Sequence, residues 1–168
     1  MDAPRILVTG GAGFVGSHVV QQLRERHPEY ELAVLDIPPR SAWKQPTQNV
    51  EYIQADITQE EAVRNAIRRA RPTVIVHAAG IVPAGSDRYG QNKREMTFKI
   101  NVNGTRNVLE AAKECNVKAI VYTSSCTIIT DDNSHDYPNM DETVPIPSSA
   151  LLYGQSKVSS EASLLRKP

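Results

Sequence analysis

A tyrosine and a lysine four residues apart, Tyr153 and Lys157, stand near the end of this 168-residue chain. On a helix that spacing brings both side chains to one face. A phenol alone, with a pKa of about 10, is a poor proton carrier at neutral pH. An ammonium one turn away is expected to stabilise the phenolate and lower that pKa, making the tyrosine a general acid/base for a hydroxyl or carbonyl oxygen. A serine hydroxyl could hold the same oxygen in place, and Ser124 and Ser125 directly follow the apolar run 118–123. Taken alone, a tyrosine–lysine pair is commonplace. Its meaning depends on the elements around it.

The first of those elements is at the N-terminus. The strand-like run Arg5-Ile6-Leu7-Val8 leads into Thr9-Gly10-Gly11-Ala12-Gly13-Phe14-Val15-Gly16, and a helical pattern follows at once. Gly10 would allow the tight turn, Gly13 would let the backbone approach a pyrophosphate, and Gly16 would let the helix pack closely on the sheet. Phosphates would then sit at the helix N-terminus, where free N–H groups and the helix dipole favour an anion. About 20 residues beyond the last glycine, the run Glu31-Leu32-Ala33-Val34-Leu35 ends in Asp36. A carboxylate at that strand tip would bind a ribose 2′-hydroxyl and repel a 2′-phosphate, so NAD is expected over NADP. Arg40 lies close by, and a simple strand-end turn is the other reading of Asp36. A nicotinamide's positive charge would add to that of Lys157 beside Tyr153.

Apolar runs at 5–9, 31–35, 50–54, 73–77 and 118–123 alternate with helical patterns from Phe14 to Arg26, Glu60 to Ala70 and about Lys93 to Cys115. The fourth and fifth runs are β-branched and almost continuously apolar, as strands covered on both faces should be. Thr58 followed by Glu61 reads as a capping box opening the second helix. Gly104 within the third helix suggests close packing there. The alternation predicts an α/β fold: a Rossmann-type, doubly wound parallel sheet of order 3-2-1-4-5, three layers deep, with a dinucleotide above the switch point. One irregular stretch, 130–149, is rich in Asp, Asn, Ser and Pro and is either a solvated loop or an active-site rim.

Formal net charge is zero, which argues against broad attraction to nucleic acid or an anionic membrane. Cys115 and Cys126 make neither a disulfide framework nor a metal spacing, and no metal site is expected. His77 is expected to pack at a strand end, and Tyr122 in the core or on the strand surface. Asp2, Pro4 and Arg5 leave no room for a signal pattern before the first strand. No apolar run approaches the roughly 20 residues of a membrane span. A single cytoplasmic domain over residues 1–168, working on a small molecule, is the expectation.

Together these motifs resemble the N-terminal half of an extended short-chain dehydrogenase/reductase, over residues 5–167. The resemblance rests on the glycine loop, Asp36, Asp56-Ile57, His77-Ala78-Ala79-Gly80, Asn101-Val102-Asn103-Gly104-Thr105, Tyr122-Thr123-Ser124-Ser125, and Tyr153 with Lys157. It implies a cofactor site made by Gly10, Gly13, Phe14, Val15, Gly16 and Asp36, with Asp56 and Ile57 at the adenine ring. Ala78, Ala79 and Gly80 would line the cofactor floor. Asn101 would support a proton relay, Ser125 would orient the substrate, and Tyr153 would exchange the proton. Lys157 would bind the nicotinamide ribose and depress the tyrosine pKa. Asp56 could instead cap the turn before Thr58, and Asn101 could instead satisfy backbone groups.

Asn103-Gly104-Thr105-Arg106-Asn107-Val108-Leu109-Glu110-Ala111-Ala112 and Asp141-Glu142-Thr143-Val144-Pro145-Ile146-Pro147 are similar to the 3β-hydroxysteroid dehydrogenase and sterol 4α-carboxylate 3-dehydrogenase group. Sugar-nucleotide epimerases and dehydratases usually carry Val-Tyr-Gly shortly after the serines, where this chain has Cys126-Thr127-Ile128-Ile129. The resemblance therefore implies an NAD-dependent oxidoreductase acting on a lipophilic secondary alcohol or ketone of steroid biosynthesis. A sugar-nucleotide epimerase or dehydratase and a non-catalytic NAD-binding module stand as alternatives. Family members continue beyond the position of Pro168 into a substrate-binding region; without it strand five would have an exposed edge and uncovered apolar surface, which would invite self-association as a homodimer.

Overall fold

The computed structural model describes residues 3–38, 47–84, 87, 91–129, 138–139, 141, 143 and 151–165. Arg40 and almost all of 130–149 lie outside them. The chain divides into two compact units: residues 1–80 with 107–123, and residues 81–106 with 124–168.

The first unit holds the sheet. Strands β1 (Arg5–Thr9), β2 (Glu31–Asp36), β3 (Val50–Gln54), β4 (Val74–His77) and β5 (Ala119–Tyr122) pair in parallel in the order β3-β2-β1-β4-β5. The predicted order 3-2-1-4-5 is the observed one. Central strand β1 has Leu7 and Val8 fully buried, one on each face, as a strand covered by helices on both sides must. Ile6 and Val8 pack with Leu32, Val34, Val50 and Val20, the last from helix α1 (Phe14–Arg26). Right-handed crossovers send α1 and helix α2 (Glu60–Ala70) to opposite faces, where α2 buries Val63 and Ile67. Edge strand β5 is different: its residues alternate between exposed and half-buried, and Val121 is 54% exposed.

Helix α2 does not open with the expected capping box. It follows Gln59 with no side-chain cap. Asp56 shapes the entry, its Oδ1 accepting the Thr58 amide at 2.8 Å and its carbonyl the Gln59 amide at 3.0 Å. Glu61 is drawn away to Arg64, which also holds Glu60 and, from the neighbouring helix, Glu114. A guanidinium gathering three carboxylates outcompetes a carboxylate reaching back to one amide.

In the second unit the predicted third helix is not a single α-helix. It runs as α3 (Arg94–Phe98), a π-helical turn (Lys99–Gly104) and α4 (Thr105–Glu114), the last crossing into the first unit. The physical reason lies at Asn101, whose carbonyl accepts the hydroxyls of Thr105 at 2.5 Å and Ser160 at 2.8 Å. Side chains thus occupy a carbonyl in the middle of the turn, where the wider winding lets them in. Helix α5 (Leu152–Leu165) packs on α3, on the π-helical turn and on a short 3₁₀ turn, Cys126–Ile128. Among the described residues no helix is long and apolar enough to cross a membrane.

The central strand sets the stability of the sheet. Leu7→Ala removes a fully buried side chain and is expected to cost about 3 kcal/mol in urea unfolding, within the range for buried leucines. Val121→Ala on the exposed edge should change stability by under about 0.5 kcal/mol.

Candidate functional site

The C-terminal ends of β1, β2 and β4 converge on the glycine loop. Gly10 has φ +71°, and a Cβ there would stand 2.7 Å from both Cα and N of Ala79. No side chain fits, so the loop lies directly on the backbone following β4. Gly13 is the extended residue before α1, and its amide donates to the Gly10 carbonyl at 3.0 Å. Gly16, expected to ease helix against sheet, meets the loop itself: a Cβ there would run into the Gly10 carbonyl and come within 2.7 Å of the Gly11 Cα.

The first turn of α1 carries no side-chain cap and no acidic residue, which leaves its positive end suited to an anion. Phe14 and Val15, in that turn, are 83% and 52% exposed. Asp36 ties β2 to the loop, one carboxylate oxygen accepting the Ala12 amide at 2.8 Å and the other the Ile37 amide at 2.7 Å. It is a strand-end turn residue as well as the acidic group beside the glycine loop. A pyrophosphate fits the charge of this cradle, where the uncapped amides of the first turn of α1 and its dipole favour an anion.

Thr9 and His77, to which sequence reasoning assigned no joint role, brace the cradle from beneath. The Thr9 hydroxyl lies 2.6 Å from Nδ1 of His77 and accepts the Ala79 amide at 3.3 Å, while the Thr9 carbonyl accepts the Ala78 amide at 3.1 Å. Both residues are fully buried, and the strand register places them side by side. His77, expected at a strand end, is there as a structural partner of Thr9. Gly80 is exposed, with Ala78 and Ala79 half-buried. Asp56 makes the turn into α2. Ile57 is a core residue whose carbonyl accepts the Asn107 side-chain amide at 2.9 Å.

The second unit brings together Asn101, Ser125, Tyr153 and Lys157. Helix α5 presents Tyr153 and Lys157 on one face, with Nζ 5.6 Å from the centre of the phenol ring. Ser125 hydrogen-bonds Tyr153, and its hydroxyl also accepts from Thr127, both from the amide at 3.2 Å and from Oγ1 at 2.9 Å. The electrostatics differ from expectation. Tyr153 is pushed above the ordinary tyrosine value, chiefly because burial penalises the phenolate; the Ser125 bond opposes this and Cys126 adds to it. Lys157 is pulled down to about 8, chiefly by burial, with Glu161 opposing. The ammonium faces the ring, and its own desolvation limits how well it supports a phenolate.

Asn101 spends its side chain on backbone. Its Oδ1 accepts the Ile81 amide at 2.8 Å, and its Nδ2 donates to the Ile81 carbonyl at 3.0 Å and to Ser156 Oγ at 3.0 Å. Satisfying backbone groups is thus a role the geometry shows. Ser156 and Ser160 were overlooked; the signal was two serines one helical turn apart beside Lys157. Among the described residues no three ligating side chains could hold a metal ion.

Known proteins are similar to this chain over most of its length. The chain is 36% identical over 167 residues to the decarboxylating sterol-4-alpha-carboxylate 3-dehydrogenase of Saccharomyces cerevisiae, covering 96% of this chain and 45% of that protein. It is 37% identical over 144 residues to the human 3 beta-hydroxysteroid dehydrogenase type 7, covering 83% of this chain and 37% of that one. The chain therefore spans less than half the length of these curated relatives. Among solved structures, the UDP-glucose 4-epimerase of Thermus thermophilus in complex with NAD is similar at a TM-score of 0.78 and 31% identity, over 95% of this chain and 49% of that one. The model of one family matches residues 7–167, from β1 beyond the end of α5, and on that match the chain belongs to the 3-beta hydroxysteroid dehydrogenase/isomerase family.

Proposed function

We propose that this chain carries the cofactor site and the proton-transfer residues of an NAD-dependent oxidoreductase of the extended short-chain dehydrogenase type. Its substrate would be a secondary alcohol or ketone on a sterol-like skeleton. The observation that carries the reading is the second unit's cluster, where Ser125 bonds the Tyr153 phenol and Lys157 stands over the same ring. The names of the curated relatives supply the substrate class.

Bound NAD would supply a nicotinamide able to accept a hydride from the carbinol carbon. Gly10, Gly13 and Gly16, with the Phe14 and Val15 amides, would hold its pyrophosphate at the end of α1. Asp36 would take the ribose hydroxyls, and Ala78, Ala79 and Gly80 would lie under the cofactor. Asp56 and Ile57 would stand near its adenine. Ser125 would hold the substrate oxygen while Tyr153 takes its proton, with Lys157 supporting the phenolate and binding ribose. Asn101 would act through α5, on which Tyr153 and Lys157 ride.

Two substitutions separate binding from chemistry. Calorimetric titration should show wild-type protein binding NAD more tightly than NADP, and Gly10→Ala abolishing binding through the clash at Ala79. Tyr153→Phe should keep NAD affinity within a few-fold while lowering NADH formation from a 3β-hydroxysterol by about 10²- to 10⁴-fold. Retained NAD with no net NADH on any sterol would favour an epimerase-like reaction, which the similarity to UDP-glucose 4-epimerase supports.

Lys157 makes stability depend on pH. Between about 8 and 10.5 the unfolded chain holds a proton that the folded chain has lost, so stability rises with pH across that window. Below pH 8 both states hold it and the full cost of burying the ammonium is present. The displacement from 10.5 to about 8 corresponds to about 3 kcal/mol, so Lys157→Met should stabilise the fold at pH 7 by up to that amount. Above pH 10 the raised Tyr153 value reverses the trend, because the folded chain then keeps a proton that the unfolded chain loses. Urea midpoints from pH 7 to 11 check both signs.

Strand β5, last in the order of the described sheet and with Val121 exposed on its face, would pair with a second copy of the chain. Light scattering should give the mass of two chains for wild type and of one for Val121→Lys.

A further inference from the structure

Helix α5 contains four serines, Ser156, Ser159, Ser160 and Ser163, where alanine would form a better helix. Each donates its hydroxyl to a carbonyl of the preceding turn: Ser156 to Tyr153 at 2.7 Å, Ser159 to Gln155 at 2.9 Å, Ser160 to Ser156 at 2.8 Å and Ser163 to Ser159 at 3.2 Å. Such back-bonding slightly weakens a helix and does not explain the residue type. Two of the four differ from the rest. Ser156 and Ser160 are fully buried, one turn apart on one face, and both reach the π-helical turn. Ser156 Oγ accepts from Asn101 Nδ2 at 3.0 Å, and Ser160 Oγ lies 2.8 Å from the Asn101 carbonyl, sharing its proton between that oxygen and the Ser156 carbonyl.

The two contacts grip Asn101 at different places, one on the side chain and one on the backbone. A single hydrogen bond leaves a helix free to roll about it; two bonds a turn apart fix both its rotation and its position along its axis. The Ser156 hydroxyl also continues the chain from the Asn101 amide to the Tyr153 carbonyl. The same Asn101 is anchored by both backbone groups of Ile81, so the grip has a rigid base. Buried hydroxyls are costly unless bonded, and these positions would be better filled by alanine if packing were all they supplied.

We propose that Ser156 and Ser160 are positioning residues: paired hydrogen bonds to Asn101 set the rotation and register of α5 and so aim Tyr153 and Lys157. This rests on the proton-transfer role proposed for that pair, but its test reads their surroundings and not turnover. Lys157 is surrounded by the Tyr153 ring and by Glu161 on its own helix. Cys126 of the 3₁₀ turn lies near Tyr153, and Arg94 of α3 bonds Gln155 at 2.5 Å.

With lysines labelled at Cε with ¹³C, and the Lys157 signal identified by its loss in Lys157→Arg, NMR follows the ammonium through its titration. Wild type should give a midpoint of about 8. Ser156→Ala and Ser160→Ala free the helix to roll and let water reach Nζ, so their midpoints should rise toward 10.5. Ser159→Ala and Ser163→Ala remove the same group from the same helix, where each hydroxyl bonds a carbonyl of α5 itself, and should keep the wild-type midpoint. Cysteine nearly matches serine in size and bonds weakly, so Ser156→Cys and Ser160→Cys give the same reading if an alanine variant fails to fold. Unchanged midpoints in the 156 and 160 variants, or equal shifts in all four, would overturn the proposal. A wild-type chain inactive on every sterol, with these midpoints as expected, would count against the oxidoreductase and leave the positioning intact.

Discussion

The sheet unit depends on one contact between two stretches of backbone. Gly10 lies so close to Ala79 that a single methyl group would collide with it, and its positive φ turns the chain away at the same point. The contact brings the end of β1 against the end of β4, where the strand order reverses direction. From it follow the loop, the start of α1 and the tether from Asp36 to Ala12. Beneath it Thr9 and His77 hold the two strand ends in register with buried polar atoms, so the cradle rests on a base that cannot slide. Leaving out side chains here lets backbone lie directly on backbone, and the uncapped end of α1 adds its dipole at the same place.

The other unit is organised by the opposite device, a side chain that stands in for backbone. Asn101 answers both the amide and the carbonyl of Ile81, as a neighbouring strand would, and its own carbonyl goes to hydroxyls. That carbonyl takes the hydroxyls inside the π turn, where the winding is wider than in an α-helix. The result is a rigid polar centre against which α5 lies. The helix itself has little amphipathic character, and its buried Ser156 and Ser160 hydroxyls bond Asn101.

Stability and the proposed chemistry pull against each other on α5. Lys157 is only 5% exposed, and keeping its ammonium there at neutral pH is unfavourable. The same burial places it over the ring of Tyr153 and away from competing water, where a charge acts at its strongest. Arg64 shows the contrasting case: its guanidinium gathers Glu60, Glu61 and Glu114 at the surface, and the three carboxylates raise its pKa. Charge at the surface is arranged for compatibility, whereas charge beside Tyr153 is held in spite of its cost.

The residues by themselves determined the alternation, strand order and glycine loop, because these depend on local periodicity and on conformations open only to glycine. Helices α1 and α2 begin and end where the apolar spacing predicts, and β1 and β3 match their predicted bounds. The pairing of Tyr153 with Lys157 was equally legible, since a helix of known pitch converts four residues into one face. The tertiary structure alone decided the π turn at Asn101, the displacement of the Thr58–Glu61 cap by Arg64, and the upward direction of the Tyr153 pKa. Each is settled by partners far away in sequence: Ser160 for Asn101, Glu114 for Arg64, and the surrounding burial, with Cys126 adding to it, for Tyr153. Spacing along the chain reveals which atoms one element can present; desolvation and competition for hydrogen bonds arise only once elements meet.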